Sequence, residues 1–258
     1  MSAQAVRTTA MERVNPVAKL AAALLLAACL IPTIDWVSVG VALALELVVF
    51  LFLRLPAGTF WLRTLPIWIA APLTGLTIVL YGQTSGMVHA EFLFARISDG
   101  SISLGIATFL RVLAIGLPAV VLFVTIDPTD LADGLAQRAR LPERFVLGAL
   151  AAMRLVGLFM EDWRALSLAR RARGVADRGR VRRLGGQAFA LLVLSIRRGT
   201  RLSTAMEARG FGGSGKRSWA RESPWGAREW LVMGAGLAIG AVAITVAVAT
   251  GSWRFIVR

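Results

Sequence analysis

The sequence predicts an all-α integral membrane protein with about five transmembrane helices and a cytoplasmic domain of amphipathic helices between the fourth and fifth spans. The first observation is composition. Of 258 residues 57% are hydrophobic and the mean hydropathy is +0.68, whereas soluble domains are about half apolar at most. The second is charge: residues 138–217 hold 18 Lys and Arg against 5 Asp and Glu, which is +13 of the net +14.

Composition also excludes several classes of protein. A disordered chain lacks apolar residues, and a disulfide scaffold needs more than the single cysteine, Cys29. A free-standing nucleic-acid binder would have no place for so much apolar surface. His89 is the only histidine, so we expect no histidine-based metal cluster, and we expect His89 to be solvated in an outer loop.

Five apolar stretches have about the length of a transmembrane helix, which needs roughly 17–25 residues. Asn15 is a good N-cap for the first, Pro16 fits its first turn, and Lys19 is expected to snorkel towards water. No small-residue cleavage site precedes Pro32, so we expect a span there rather than a signal peptide. The five stretches are residues 16–31, 36–53, 65–81, 102–126 and 230–249.

The distribution of basic residues predicts the topology, because Lys and Arg accumulate in cytoplasmic loops. The connection 54–63 has two arginines and no acid, whereas the connection 82–100 is not basic. We therefore expect a cytoplasmic N-terminus and three parts of the chain. Residues 1–126 form a membrane domain with four spans, 127–228 a cytoplasmic domain with two long helices, and 229–258 the final span with a short tail.

Within the basic insert, Asp127-Pro128 predicts the start of a short helix. Two long helices follow, over about 143–173 and 184–209, each ended by a glycine. Residues 145–160 are apolar enough to suggest a membrane crossing, but they are only 16 residues and include Arg154. We favour a helix under the bilayer or against the spans, with a crossing as the alternative.

Both long helices end in the same three residues, Ala172-Arg173-Gly174 and Ala208-Arg209-Gly210. Helix termination alone explains an arginine followed by glycine, but both copies lie at predicted cytoplasmic helix ends. If the second helix, about 39 Å long, runs back along the first, the triplets lie at opposite ends. Arginine can bind a carboxylate with two hydrogen bonds, so the pair predicts a partner with two like binding sites.

Two further features could be taken for chemistry. The run 210–217 is a glycine-rich loop with lysine, but Arg217 stands where a phosphate-binding P-loop needs Ser or Thr, so a linker is the better interpretation. Glu46 and Arg111 are charges inside predicted spans, each about 14 Å deep. Intramembrane charges usually face a partner, so we expect these two to pair, with separate snorkelling as the alternative.

At these residues the sequence resembles the T component, the transmembrane coupling subunit, of energy-coupling factor (ECF) transporters. The two Ala-Arg-Gly triplets are the most specific part, and residues 205–211 closely resemble the family's second motif. Asn15-Pro16-x-x-Lys19-Leu20 resembles the start of the family's first span, although aspartate is commoner there. Residues 127–131 and Leu141-Pro142 resemble the start of the coupling region and of its next helix.

The resemblance implies a mechanism and a set of partners. Two ATPase subunits would dock on the two long helices, with Arg173 and Arg209 each in a groove of one ATPase. ATP binding would move the helices, and the motion would pass to a separate substrate-binding S component. The cargo would be a vitamin, such as a thiamine precursor or another B vitamin, or a metal ion.

The resemblance also implies what this chain lacks and where it lies. It would be no enzyme and hold no cofactor, since ATP and magnesium belong to the ATPases. It would lie in a prokaryotic plasma (inner) membrane with the N-terminus and the coupling domain cytoplasmic.

Two other functions remain as alternatives. A self-contained carrier or channel needs a polar path through the spans, which only Glu46 and Arg111 offer. A membrane-anchored protein that binds anionic lipid or nucleic acid needs arginines spread over a face. The repeated triplets favour the T component, so we expect the lipid bilayer but no nucleic acid as a partner.

Overall fold

The computed structural model describes residues 13–52, 57–82, 85–92, 95–174, 179–213, 218–219 and 221–253. These residues form eight α-helices and one β-hairpin: α1 (Pro16–Leu30), α2 (Trp36–Phe52), α3 (Ala57–Tyr81), β1 (Val88–Phe92), β2 (Ala95–Ser98), α4 (Asp99–Val124), α5 (Pro128–Gln137), α6 (Glu143–Ala172), α7 (Arg180–Ala208) and α8 (Ala227–Ala249). The chain divides into two compact units. Unit 1 is Met1–Leu131 with Ser223–Arg258, and unit 2 is Ala132–Glu222.

Unit 1 is a helical bundle, and the protein is an all-α membrane protein as predicted. Within the described part of the chain, three helices are long and apolar enough to cross a membrane: Phe60–Tyr81, Asp99–Phe123 and Ala227–Ala249. The other two apolar helices of the bundle, α1 and α2, have 15 and 17 residues. α1 is therefore shorter than the usual length of a span and α2 is at its lower limit, so the number of five spans stays a prediction.

The core of unit 1 lies where α1, α2, α4 and α8 meet. Leu30, Val39, Ala114 and Ala243 are completely buried there. A second cluster, built on Ala71 of α3 with Leu113 and Leu117 of α4, attaches α3 to the bundle. Small residues at several of these positions let the helices approach closely, which is the usual way that helices associate in a membrane.

Two local features of unit 1 differ from the sequence prediction. The helix α3 begins at Ala57, eight residues before the apolar run at Leu65, because an apolar run marks the membrane-spanning part of a helix and not its full length. The connection between α3 and α4 contains the antiparallel hairpin β1–β2. His89, expected to be a solvated loop residue, lies in β1, where it is exposed and contacts Asp99 Oδ1 at 2.6 Å.

Lys19 does not snorkel as predicted. Its side chain is 1% exposed, and its Nζ donates hydrogen bonds to the backbone oxygen and to Oγ1 of Thr125, at 3.1 and 2.8 Å. Thr125 is the C-cap of α4, where carbonyl groups lack helical partners and carry a partial negative charge. The ammonium group therefore finds hydrogen-bond acceptors inside the bundle instead of in water.

Unit 2 contains the two long helices. α6 begins at Glu143 directly after Pro142, as predicted, and has 30 residues. α7 has 29 residues and begins at Arg180, four residues before the predicted start. The small core of unit 2 consists of Ala132, Ala136 and Val146, with Trp219 packed against it. Among the described residues, α6 does not meet the length and hydropathy expected of a span, and whether residues 145–160 touch the membrane stays a prediction.

Candidate functional site

The helices α6 and α7 run antiparallel, and two polar contacts fix their register. Arg198 Nη1 and Nη2 donate hydrogen bonds to the two carboxylate oxygens of Asp162, at 2.6 and 3.4 Å. Arg170 donates to the backbone oxygens of Arg183 and Gly186, at 3.3 and 3.0 Å. The two helices are therefore antiparallel. For this arrangement the sequence predicts that the two triplets lie at opposite ends of the helix pair.

The contact of Arg170 depends on a glycine. A Cβ at Gly186 would lie 3.1 Å from both Nη atoms of Arg170, so the missing side chain gives the guanidinium access to the α7 backbone. The sequence pattern alone did not predict this contact. The sequence feature that could have indicated the contact is Gly185-Gly186 inside a helix, since glycine within a helix often has a packing reason.

The register gives the distance between the two triplets. The Arg170–Gly186 contact puts the end of α6 at Arg173 level with residue 183 of α7, and the Asp162–Arg198 contact puts it level with residue 187, so it lies near residue 185. Arg209 is 24 residues further along α7, which is about 36 Å at 1.5 Å per residue. The two triplets are therefore well separated along the helix pair.

The first triplet forms the end of α6. Arg173 is the C-cap with φ −88°, and its N–H donates to the backbone oxygen of Ala169. Gly174 follows in the left-handed region, with φ +66°, and its N–H donates to the oxygen of Arg171 at 3.0 Å. No atom lies within 4 Å of a Cβ built on Gly174, so this position favours glycine because of its backbone conformation and not for lack of space.

The second triplet ends α7 in the same way and completes a Schellman motif. Gly210 has φ +75°, and its N–H donates to the oxygen of Glu207 at 2.9 Å. The N–H of Phe211 donates to the oxygen of Met206, also at 2.9 Å. A Cβ on Gly210 would again meet no atom within 4 Å. Both helices thus present an arginine at a freely accessible helix end.

All six residues of the triplets are exposed: Ala172, Arg173, Gly174, Ala208, Arg209 and Gly210. The small neighbours of each arginine leave its guanidinium accessible from several directions. A guanidinium in this setting can form a planar, two-bond contact with a carboxylate of another protein. The geometry thus provides two equivalent cationic contact points.

Comparison with known proteins identifies the family. A family model described as cobalt transport protein, CbiQ, matches residues 7–219, which is most of the chain. The chain belongs to this family, the T components of ECF transporters.

Curated relatives agree with this assignment. The energy-coupling factor transporter transmembrane protein EcfT of Bacillus selenitireducens is 29% identical over 234 residues, covering 86% of this chain and 87% of the relative. EcfT of Streptococcus thermophilus is also 29% identical, over 248 residues, with 90% and 92% of the two chains covered. EcfT of Limosilactobacillus fermentum is 27% identical over 188 residues, which is 67% of this chain and 68% of that one. The protein is thus a membrane subunit of a transporter.

The glycine-rich run after the second triplet is only partly described. Residues 214–217, which include the lysine, lie outside the described residues. Residues 210–213 form a turn that directly follows α7. A phosphate-binding loop follows a strand, so the described part of the run does not have the surroundings of such a loop in this T component.

The structure does not bring Glu46 and Arg111 together. Neither carboxylate oxygen of Glu46 has a hydrogen-bond partner among the described residues, nor do Nε and Nη2 of Arg111. Ala42 and Ala114 belong to one buried cluster. Glu46 follows Ala42 by four residues, whereas Arg111 precedes Ala114 by three. If Ala42 and Ala114 lie level and the two helices run in the same direction, as the predicted topology has them, the charges lie about 10 Å apart along the helix axes. The prediction of a pair assumed that the two charges lie at equal depth, and no hydrogen bond joins them in the structure.

Proposed function

We propose that this T component transmits the energy of ATP hydrolysis from two docked ATPase subunits to a separate substrate-binding S component. The observation that carries the proposal is the pair of exposed Ala-Arg-Gly helix ends, about 36 Å apart along one antiparallel helix pair. ATPases of this type work as dimers, so two subunits of like structure would present the same groove twice. One groove would receive Arg173 and the other Arg209.

The chemistry of the contact supports this assignment. Each arginine follows the last helical residue, and the next residue is a glycine with positive φ, so the chain turns away and leaves the guanidinium at the tip. An acidic groove would bind that tip by two charge-assisted hydrogen bonds. Since the arginines belong to two long helices, a movement of the ATPases would be passed along both helices.

The exposed apolar residues of α6 and α7 favour a second, hydrophobic partner. In α6 and α7 these side chains are at least 45% exposed, and burial of such a surface against another protein is favourable by about 25 cal/mol per Å². We assign this surface to the S component and the lipid around it. The residues are Phe145, Met153, Val156, Met160 and Leu168 in α6, and Val181, Leu184, Phe189, Leu192, Val193 and Ile196 in α7.

The remaining parts of the proposal concern the complex. ATP and magnesium would be bound by the ATPase subunits, and the cargo, a vitamin such as a thiamine precursor or a metal ion, by the S component. Because ATP is cytoplasmic, unit 2 and the N-terminus would lie on the cytoplasmic side of the prokaryotic cell membrane. This chain would transmit motion without catalysing a reaction.

Charge reversal at the two arginines tests the proposal. We expect the double variant Arg173→Glu/Arg209→Glu to lose at least nine tenths of the ATPase that copurifies with the wild-type chain. The matched control is Arg164→Glu/Arg201→Glu, which makes the same charge change at exposed positions of the same helices. It should retain the ATPase at close to the wild-type level.

Two outcomes would contradict the proposal. If the Arg173→Glu/Arg209→Glu chain retains ATPase at the wild-type level, the triplets are not the docking site. If both double variants lose the partner equally, the contact depends on the general positive charge of unit 2. That second result would favour the alternative of a basic protein that binds anionic lipid or nucleic acid.

A further inference from the structure

A buried polar cluster surrounds the first turn of α1 in unit 1. We call Asn15, Lys19, Thr125, Ser223 and Glu229 the junction cluster. Four of its members are at most 5% exposed, and Thr125 is half-buried. Buried polar groups cost free energy unless they are hydrogen-bonded, and the bonds of this cluster join three segments of the chain: the start of α1, the end of α4 and the segment before α8.

Asn15 is hydrogen-bonded through its backbone and its whole side chain. Its Oδ1 accepts from the N–H of Val17 and so caps α1, at 3.0 Å. Its Nδ2 donates to Ser223 Oγ at 2.6 Å and to the backbone oxygen of Pro224 at 2.9 Å. Its own N–H donates to Glu229 Oε1 at 3.2 Å. One residue at the start of α1 therefore holds the segment that leads into α8.

Lys19 makes the corresponding contact to α4. It lies four residues after Asn15, on the same face of the helix, and its Nζ donates to the backbone oxygen and Oγ1 of Thr125. Thr125 Oγ1 in turn donates to the backbone oxygen of Leu122 at 2.8 Å. A single turn of α1 thus contacts both the end of α4 and the segment before α8.

These two contacts lie beside the two places where the chain passes between the units. The chain leaves unit 1 after Leu131 and returns to it at Ser223. Thr125 is six residues before the first passage, and Ser223 is the first residue after the second. The α1 turn therefore holds both connections to unit 2 on the unit 1 side.

Both connections are also short, so they can change their length very little. α5 begins at Pro128, only three residues after Thr125, and three residues of extended chain cover at most about 10 Å. Within unit 2, Gln137 Nε2 at the end of α5 donates to the backbone oxygen of Arg221 at 2.8 Å. Arg221 is two residues before Ser223, or at most about 7 Å of chain. The two connections are thus held together by hydrogen bonds of Asn15 and Lys19 within unit 1 and by the Gln137–Arg221 hydrogen bond within unit 2.

We propose that the junction cluster is the mechanical link through which movement of α6 and α7 reaches the membrane helices. The inference rests on the proposed function, because it needs ATPases that move unit 2. Asn15 and Lys19 are positioning residues in this scheme. They touch neither nucleotide nor cargo, and they prevent the movement from being absorbed in the two connecting segments.

Three substitutions weaken the link while keeping the local helix. Asn15→Ser retains a good N-cap but removes the amide that reaches Ser223 and Pro224. Lys19→Met keeps the length of the side chain and removes the donors to Thr125. Thr125→Val removes only the hydroxyl, and Thr125→Ser is its matched control because it keeps that hydroxyl.

The test uses the complete transporter, purified with its ATPase subunits and S component and placed in lipid nanodiscs. In a Cys29→Ser background, a bimane label is attached at Thr204→Cys in α7 or at Thr245→Cys in α8, two exposed positions. A non-hydrolysable ATP analogue is then added. We expect the label emission to change at both positions with the junction cluster intact. In Asn15→Ser and Lys19→Met the change at 204 should remain within twofold, and that at 245 should fall at least fourfold.

Each result supports or overturns the inference. Equal signals at 245 in all variants, or a parallel loss at 204 and 245, would show that the cluster only stabilises the fold. If Asn15→Ser does not assemble, Thr125→Val decides, with an expected loss of at least twofold at 245 that Thr125→Ser does not show. No nucleotide response at 204 in the unaltered protein would instead contradict the proposed function itself.

Discussion

Gly236 of α8 lies directly against the backbone of Ala22 in α1. A Cβ at position 236 would be 2.6 Å from the backbone oxygen of Ala22, a contact that no side-chain rotation can relieve. Four residues later, a Cβ at Gly240 would lie 2.6 Å from Cys29 Cβ. These two buried glycines allow α8 and α1 to approach closely, and the same two helices begin at the junction cluster.

The first prediction concerns this approach. We expect Gly236→Ala to lower the free energy of unfolding by about 1–3 kcal/mol, the usual cost of an overpacked contact. Gly234→Ala is the control in the same helix, because no atom lies within 4 Å of its Cβ. That variant should be neutral or more stable by up to about 1 kcal/mol, since alanine is the better helix former. Unfolding in mixed micelles, followed by tryptophan fluorescence, measures both. Equal stability of the two variants would contradict the close contact.

A second prediction concerns the ion pair between the long helices. The Asp162 and Arg198 side chains are 21% and 33% exposed, so water screens part of their interaction. We expect Arg198→Met to destabilise unit 2 by about 1 kcal/mol, with a smaller effect at high salt. The neighbouring Arg197→Met should change stability by less than about 0.5 kcal/mol. Thermal unfolding at two salt concentrations tests this, and a salt-independent loss would point to packing instead of charge.

A third prediction addresses the end of α7. Gly210→Ala should cost about 1–2 kcal/mol, because a residue with a Cβ is strained in the left-handed region, and Gly210→Asn should cost less. Gly199→Ala, inside the helix and with no atom near its Cβ, should have the opposite sign. Hydrogen exchange at residues 206–211 would detect the loosened end. If alanine at 210 leaves exchange unchanged, the positive φ is not needed to end the helix.

The fourth prediction separates Glu46 from Arg111. Since Glu46 is 2% exposed and its oxygens have no partner among the described residues, Glu46→Met should leave stability unchanged or raise it. In a double-mutant cycle, Glu46→Met and Arg111→Met should be additive to within about 0.5 kcal/mol. A larger coupling energy would show that Glu46 and Arg111 form the ion pair that the sequence suggested.

The parts of the fold that the sequence predicted depend on local signals. Asn15-Pro16 sets the start of α1, Pro142 precedes α6, and the glycines at 174 and 210 end the long helices, because caps and left-handed residues act within one helical turn. The same locality made the two triplets visible as a candidate site. Apolar runs located the membrane helices, but not the start of α3, which extends beyond its apolar part.

The sequence by itself determined the class of protein, the order of its helices and the arginines at two helix ends, since hydropathy and capping are properties of short segments. The tertiary structure alone decided which residues of neighbouring helices lie side by side. It does not pair Glu46 with Arg111, it places Lys19 against Thr125 instead of in water, and it brings Asn15 to Ser223 across more than two hundred residues of chain. Such contacts depend on how far each helix slides along its neighbour, and that position is set by small residues such as Gly236 at the points of closest approach.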